Sequence, residues 1–226
     1  MNPVEETKKY FSYLNELGLN YVPVDKTLRK LLQNNIYLAE NNLEKIKNAL
    51  ANCERCTLYR VRKQSIWGEG NIDSKLMLIS EYPDREEDFY GKPFVGITGE
   101  LLDKMLKSIK LTRKDFFITH AVKCKTPGGR PPELEEISAC KTYLLKQIKF
   151  IKPKLILALG FTPPKIFFTN NPTFSSIRGK LIKLKNFTIL FTYHPNYMLK
   201  NPAVKRLVWE DLQKFRKLYE QIFENS

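Results

Sequence analysis

Lys75-Leu76-Met77-Leu78-Ile79-Ser80 and Lys154-Leu155-Ile156-Leu157-Ala158-Leu159-Gly160 are short apolar runs closed off by polar residues or glycine. Runs of this length, without alternation, have the look of strands buried on both faces. Phe116-Phe117-Ile118-Thr119 and the segment Phe187 to Thr192 read the same way. Helical periodicity fills the intervals. Thr98 to Ile109 carries Leu101, Leu102, Met105, Leu106 and Ile109 on one face, with Thr98 near its start. Pro131 to Phe150 has proline in its first turn and Glu133, Glu135 and Glu136 near the positive end of the helix dipole. A last helix spans about Ala203 to Phe223. Strands alternating with helices predict an α/β fold, a three-layer α/β/α sandwich around a mostly parallel central sheet. Ligands of such sheets gather at the carboxyl ends of strands, so the loops after Ile79, Thr119, Leu159 and Thr192 should share one edge.

Ahead of this domain the first fifty residues read as helix. Tyr10, Phe11, Leu14 and Leu17 recur at spacings of three and four between Pro3 and the stop at Gly18. A second helix runs from about Asp25 through Leu28, Leu31 and Leu32, and a third, Leu43-Ile46-Leu50, leads into Cys53. No clear linker follows, which predicts a helical N-terminal extension over residues 1–45 and one domain over 46–226. No apolar run approaches the roughly eighteen residues of a membrane span, and no secretory signal opens the chain. The expectation is a soluble, cytoplasmic protein. Thirty-eight Lys and Arg against 24 Asp and Glu leave a net charge of +14. That excess points to a polyanion, nucleic acid first; the plainer reading is a solvated basic surface.

Four cysteines complete a donor set with none left over: Cys53 and Cys56 as C-x-x-C, then Cys124, then Cys140. Four thiolates suit a tetrahedral zinc ion or a [4Fe–4S] cube equally well. Two disulfides or four unrelated core thiols are the bland readings, and a reducing cytosol disfavours the first.

The loop after the first strand, Ser80 to Gly96, is long and acidic, bounded by glycine and proline, with Phe94 pinned between Pro93 and Val95. Acid in a basic protein is costly for a polyanion binder unless it serves something local; otherwise the loop is a solvated one. Only two histidines exist, His120 after the second strand and His194 after the last. A single strand-end histidine is usually structural. Two converging on one edge beside Glu81 are suggestive of chemistry.

The colinear order of C-x-x-C, Gly68-Glu69-Gly70-Asn71, the acidic loop ending G-K-P-F-V-G, T-G-E-L-L, I-T-H-A-V-K-C, G-R-P-P, C-x-x-Y-L, P-K-L-I-L-A-L-G, R-G-K and Y-H-P-N-Y resembles the family 4 uracil-DNA glycosylases, from about Leu43 to Phe215. The resemblance implies a [4Fe–4S] cluster on Cys53, Cys56, Cys124 and Cys140, structural rather than redox-active. It implies a monomeric DNA-repair enzyme, nucleoid-associated, that flips uracil from single- or double-stranded DNA and hydrolyses its glycosidic bond. Glu81 and His194 would be catalytic. Ser80, Tyr82, Phe94 and His120 would contact the base. Tyr197, Met198 and Leu199 would supply an apolar wedge, with Lys200 and Arg178 on phosphates. Three departures stand out. The family's G-E-A-P-G is Ser80-Glu81-Tyr82-Pro83-Asp84, its base-reading Asn is His120, and its H-P-S is His194-Pro195-Asn196. An imidazole cannot repeat the paired donor and acceptor of an amide. Excision of another deaminated base such as hypoxanthine, or DNA binding without catalysis, are the alternatives these departures raise.

Overall fold

The four apolar runs form β2 (Leu76–Ser80), β3 (Phe117–His120), β4 (Leu155–Leu159) and β6 (Thr188–Thr192), flanked by β1 (Glu69–Gly70) and β5 (Leu181–Lys183). In this computed structural model, which describes residues 43–170 and 172–224, they make one sheet in the order β1-β3-β2-β4-β6-β5. The inner four are parallel neighbours, and the two short edge strands pair antiparallel. Every residue of β2 and β4 is buried, which is why their sequence runs continuously apolar rather than alternating. The edge strands are two and three residues long and part-exposed, too short to leave a period in the sequence.

The described helices are α1 (Leu43–Ala51), α2 (Arg85–Tyr90), α3 (Gly96–Ser108), α4 (Leu134–Ile151), α5 (Pro164–Phe167), α6 (Phe174–Ile177), α7 (Pro195–Lys200) and α8 (Lys205–Phe223). Side chains of alternate strand residues pack to opposite faces. Leu76, Leu78, Leu155, Leu157 and Leu190 join Leu102 and Leu106 of α3 and Leu212 and Phe215 of α8 in one core. On the other face Thr119 meets Gln147 of α4, giving helices on both sides of the sheet. The expected helices at Pro3–Leu17 and Asp25–Leu32, and most of the proposed 1–45 extension, lie outside the described residues; those described fall in a compact unit that starts at Glu40. No described helix is long and apolar enough to cross a membrane.

Two boundaries shift for identifiable reasons. α4 begins after its prolines, because Glu133 caps it in a reciprocal box with Glu136. The acidic loop contains α2, started by a second box in which the Asp84 carboxylate accepts the Glu87 amide and Glu87 accepts the Asp84 amide, both at 2.8 Å.

α8 is locked to β6 by Asp211, which is fully buried. Its carboxylate accepts from Arg178 Nη1 and from Thr192 Oγ1 at 2.7 Å. Removing one partner of such a pair strands the other. Asp211→Ala is therefore expected to destabilise the fold by about 3 kcal/mol in urea unfolding, with Asp211→Asn less harmful because it still accepts from Thr192.

Candidate active site

The order of the inner strands reverses once. From β2 the chain goes to β3 on one side, then crosses back to β4 on the other side and on to β6. The crevice between the carboxyl ends of β2 and β4 is thus the switch point where α/β sheets bind ligands. Glu81, first residue past β2, reaches across it. Its Oε1 accepts from the Phe161 amide (2.8 Å), the Thr162 amide (3.0 Å) and Thr162 Oγ1 (3.1 Å), all just past β4. Gly160 sits at a φ of 95°, and a Cβ there would collide with the Glu81 carboxylate. That explains the glycine closing the β4 motif.

His194 stands at the end of β6 and caps α7, with Pro195 in the helix's first position. The Asn196 amide donates to its Nδ1 at 3.1 Å. A neutral ring so held carries its hydrogen on Nε2, which lies 2.9 Å from Ser80 Oγ. Burial pushes the imidazole below its ordinary range, against the opposing pull of Glu81 and Glu87, so the neutral form holds at physiological pH. Ser80, expected at the base, is buried and supports His194 instead.

Phe94 is buried, 2% exposed, with its ring parallel to His194 at 5.5 Å and to His120 at 6.3 Å. Its φ of 55° is strained for so bulky a residue. Two contacts hold it there: its amide donates to Glu87 Oε1 at 2.5 Å, and Gly99 passes so close to its carbonyl that a Cβ would strike the oxygen. The same Glu87 oxygen lies 3.2 Å from His120 Nε2. Burial alone would raise the Glu87 pKa; the His120 imidazole first, with the Asp84 and Phe94 amides, outweighs it and holds the carboxyl down to about 2. Sequence reasoning passed over Glu87, although the D-x-x-E spacing of Asp84 and Glu87 is a readable capping signal.

Glu81, Tyr82, Asp84, His194, Asn196 and Lys200 line a cavity of about 500 Å3, with Arg85, Lys125 and the Gly128–Gly129 turn on its rim. Tyr82 stands on the wall, its hydroxyl 3.4 Å from the Gly129 carbonyl, and leaves the cavity open. Three further expectations change. His120 does not line the cavity: it is fully buried, spent on Glu87, with Nδ1 unpartnered. Met198 belongs to the core, so it is not available as a wedge. Arg178 is committed to Asp211 rather than free for phosphate. Asp84, one of the departures from the family motif, caps α2. Tyr197 stacks on Tyr193 at 5.1 Å, while Leu199 and Lys200 are exposed.

Cys53, Cys56, Cys124 and Cys140 line one small cavity with Leu50, Leu58 and Val122. Among the described residues no three ligand-type side chains are drawn tightly enough together to hold a single ion. The donor chemistry fits a cluster nonetheless. Arg62 Nη1 donates to Cys124 Sγ at 3.1 Å and the Lys123 amide to Cys140 Sγ at 3.2 Å, the outer-shell support that anionic sulfur needs. Without metal, burial pushes the Cys124 and Cys140 thiols up to about 11 and 12. Lys123 links this region to β3: its buried ammonium donates to Thr119 Oγ1, the His120 carbonyl and Gln147 Oε1, each at 2.6 Å.

The family model for the uracil DNA glycosylase superfamily matches residues 67–213. A type-4 uracil-DNA glycosylase of Sulfurisphaera tokodaii is 40% identical over 187 residues, which is 79% of this chain and 85% of that protein. One from Saccharolobus solfataricus is 40% identical over 185 residues, 78% and 86% of the two chains. One from Thermotoga maritima is 36% identical over 183 residues, 79% and 95%.

Glu87 also sets an acid limit on the site. A carboxyl held near 2 when folded and at 4.5 when unfolded contributes stability that is fully present above 4.5 and lost as pH falls toward 2. Glu87→Gln should lower stability at neutral pH by roughly 2–3 kcal/mol and flatten the loss of stability between those pH values in acid-titrated unfolding.

Proposed function

The chain belongs to the uracil DNA glycosylase superfamily, beside its type-4 enzymes, and is a glycosylase; from that premise we propose that it excises uracil from DNA and leaves an abasic site. The observation that carries the reading is the meeting of Glu81 and His194, residues from different strand ends, on one cavity at the switch point. A deoxyuridine must leave the base stack to reach such a hollow. Hydrolysis breaks the bond from C1′ to the base nitrogen and forms one from C1′ to a water oxygen. Glu81, fixed through Oε1 by Phe161 and Thr162, faces the positive charge that develops on the sugar and takes the water's proton. His194, neutral and carrying its one hydrogen on Nε2, shifts that hydrogen bond from Ser80 Oγ to the uracil oxygen on which negative charge accumulates. Donors placed where charge develops are usually the largest catalytic contribution. Phe94, expected on the base, is buried outside the cavity lining and acts by fixing the plane of the His194 ring.

The four cysteines would hold a [4Fe–4S] cluster, which supplies no step of the hydrolysis. Bound there, it would tie the segment around Cys53 and Cys56 to the loop after β3 and to α4. The enzyme acts as a monomer on DNA in the cytoplasm, at the nucleoid. A second reading, excision of another deaminated base such as hypoxanthine, is favoured by one observation: His120, in place of the family's Asn, is turned into the fold rather than toward the cavity.

Oligonucleotides carrying uracil, hypoxanthine or xanthine, treated with alkali after incubation, should show strand breaks at uracil; breaks only at another base would select the second reading. Glu81→Gln and His194→Gln should each lower kcat by about 10²–10³ while binding to an uncleavable oligonucleotide persists. The acid limb of kcat should lie below about 6.5, the ordinary imidazole value, because burial lowers the His194 pKa. Purified protein should be brown, and Cys124→Ser should remove the visible absorption and the iron; colourless protein loaded with zinc would refute the cluster.

A further inference from the structure

Helix α2 ends on two rings left uncovered by the rest of the described structure, Phe89 at 58% and Tyr90 at 63% exposure. They meet edge to face at 5.1 Å, and the Lys63 ammonium lies 3.7 Å from the Phe89 ring centre. Both wall a second hollow of about 500 Å3, together with Lys63, Arg85 and Lys125. Arg85 and Lys125 also line the Glu81–His194 cavity, so the two hollows adjoin through shared cations. The acids beside them do little to offset this charge. Asp88 is buried and accepts from the Lys63 and Gln64 amides, which leaves Glu86 as the one exposed carboxylate in that wall. The rings are also held in place: Gln64 Nε2 donates to the carbonyls of Asp88 and Phe89, closing the end of α2.

Exposed rings interleaved with cations suit a chain that offers flat faces and regular negative charge. Unpaired nucleic acid has both. A duplex keeps its base faces inside its own stack, and an apolar protein partner gains nothing from three flanking cations. We propose that Phe89 and Tyr90 are a stacking platform for unpaired nucleotides of the lesion-bearing strand, with Lys63, Arg85 and Lys125 holding their phosphates. The enzyme thereby favours single-stranded or locally melted DNA. This rests on reading the adjoining cavity as the seat of the extruded base.

The test uses Phe89→Leu/Tyr90→Leu, which keeps apolar bulk at two exposed positions, and Tyr90→Phe, which keeps the ring. Binding is measured with uncleavable single strands carrying an abasic analogue, and with the matching duplex. The double variant should bind the single strand about tenfold or more weakly and the duplex unchanged, with Tyr90→Phe close to wild type. A 2-aminopurine placed next to the analogue should be quenched by wild type and not by the double variant. Trimming the nucleotides on the quenched side should erase the difference between the two proteins. Equal loss on single strand and duplex, or no loss on either, overturns the proposal. Because binding is read without excision, an enzyme inactive on uracil that still shows the ring-dependent preference would sink the uracil reading and leave the platform standing.

Discussion

One buried carboxylate organises the site. Glu87 accepts the Asp84 amide through Oε2, and the Phe94 amide and His120 Nε2 through Oε1. In one stroke it starts α2, fixes a phenylalanine at positive φ, and anchors the carboxyl end of β3. A buried charge survives only if its hydrogen-bonding capacity is met, and here backbone amides meet most of it. The strain at Phe94 is therefore carried by a buried carboxylate at the edge of the same cavity. Strained residues persist where the surroundings over-determine them. The parallel rings of Phe94 and His194 show what the strain achieves: a flat, buried surface set behind the His194 imidazole.

The acidic segment is less of a paradox in a chain of +14 than its composition suggests. Asp84 is used as a helix cap, Glu87 as the buried anchor, and Asp88 as the acceptor for the amides of residues 63 and 64. The carboxylates point inward to satisfy backbone donors, while Arg85 faces the cavities. Negative charge needed for folding is thus removed from the surface that polyanionic DNA would meet. Glu86 stays exposed, and Glu81 faces the cavity but is clamped to the β4 exit by three donors.

The fold was largely legible because buried parallel strands and amphipathic helices leave strong periodic signals. β2, β3, β4 and β6 could be read from apolar runs alone, and α3, α4 and α8 from their stripes. Strands β1 and β5 could not, since two or three part-exposed residues carry no period. The convergence of Glu81 and His194 followed from topology, as both sit one or two residues past parallel strand ends. What escaped was side-chain commitment. Nothing in the sequence distinguishes an arginine free for phosphate from Arg178 bound to Asp211, or a wedge from Met198 packed into the core. His120 illustrates the same limit. Its position at a strand end was correct, but its side chain is held by Glu87, whose role depends on the Asp84 cap, three residues past Glu81.

The departures from the family pattern then take on physical meaning. Asp84 in place of a glycine gives α2 a side-chain cap, and caps of this kind stabilise a helix start by about 1 kcal/mol. A firmer α2 start holds Glu87 more firmly, and Glu87 holds Phe94. Tyr82 adds bulk on the wall of the cavity, where its hydroxyl approaches Gly129 across the opening. Bulk there narrows the approach from the side of the 128–129 turn without filling the hollow. A stiff duplex must bend or open to bring a base past such a wall, whereas an unpaired strand need not. The same substitutions that obscure the family signature thus act together, stiffening the floor of the cavity and narrowing its mouth.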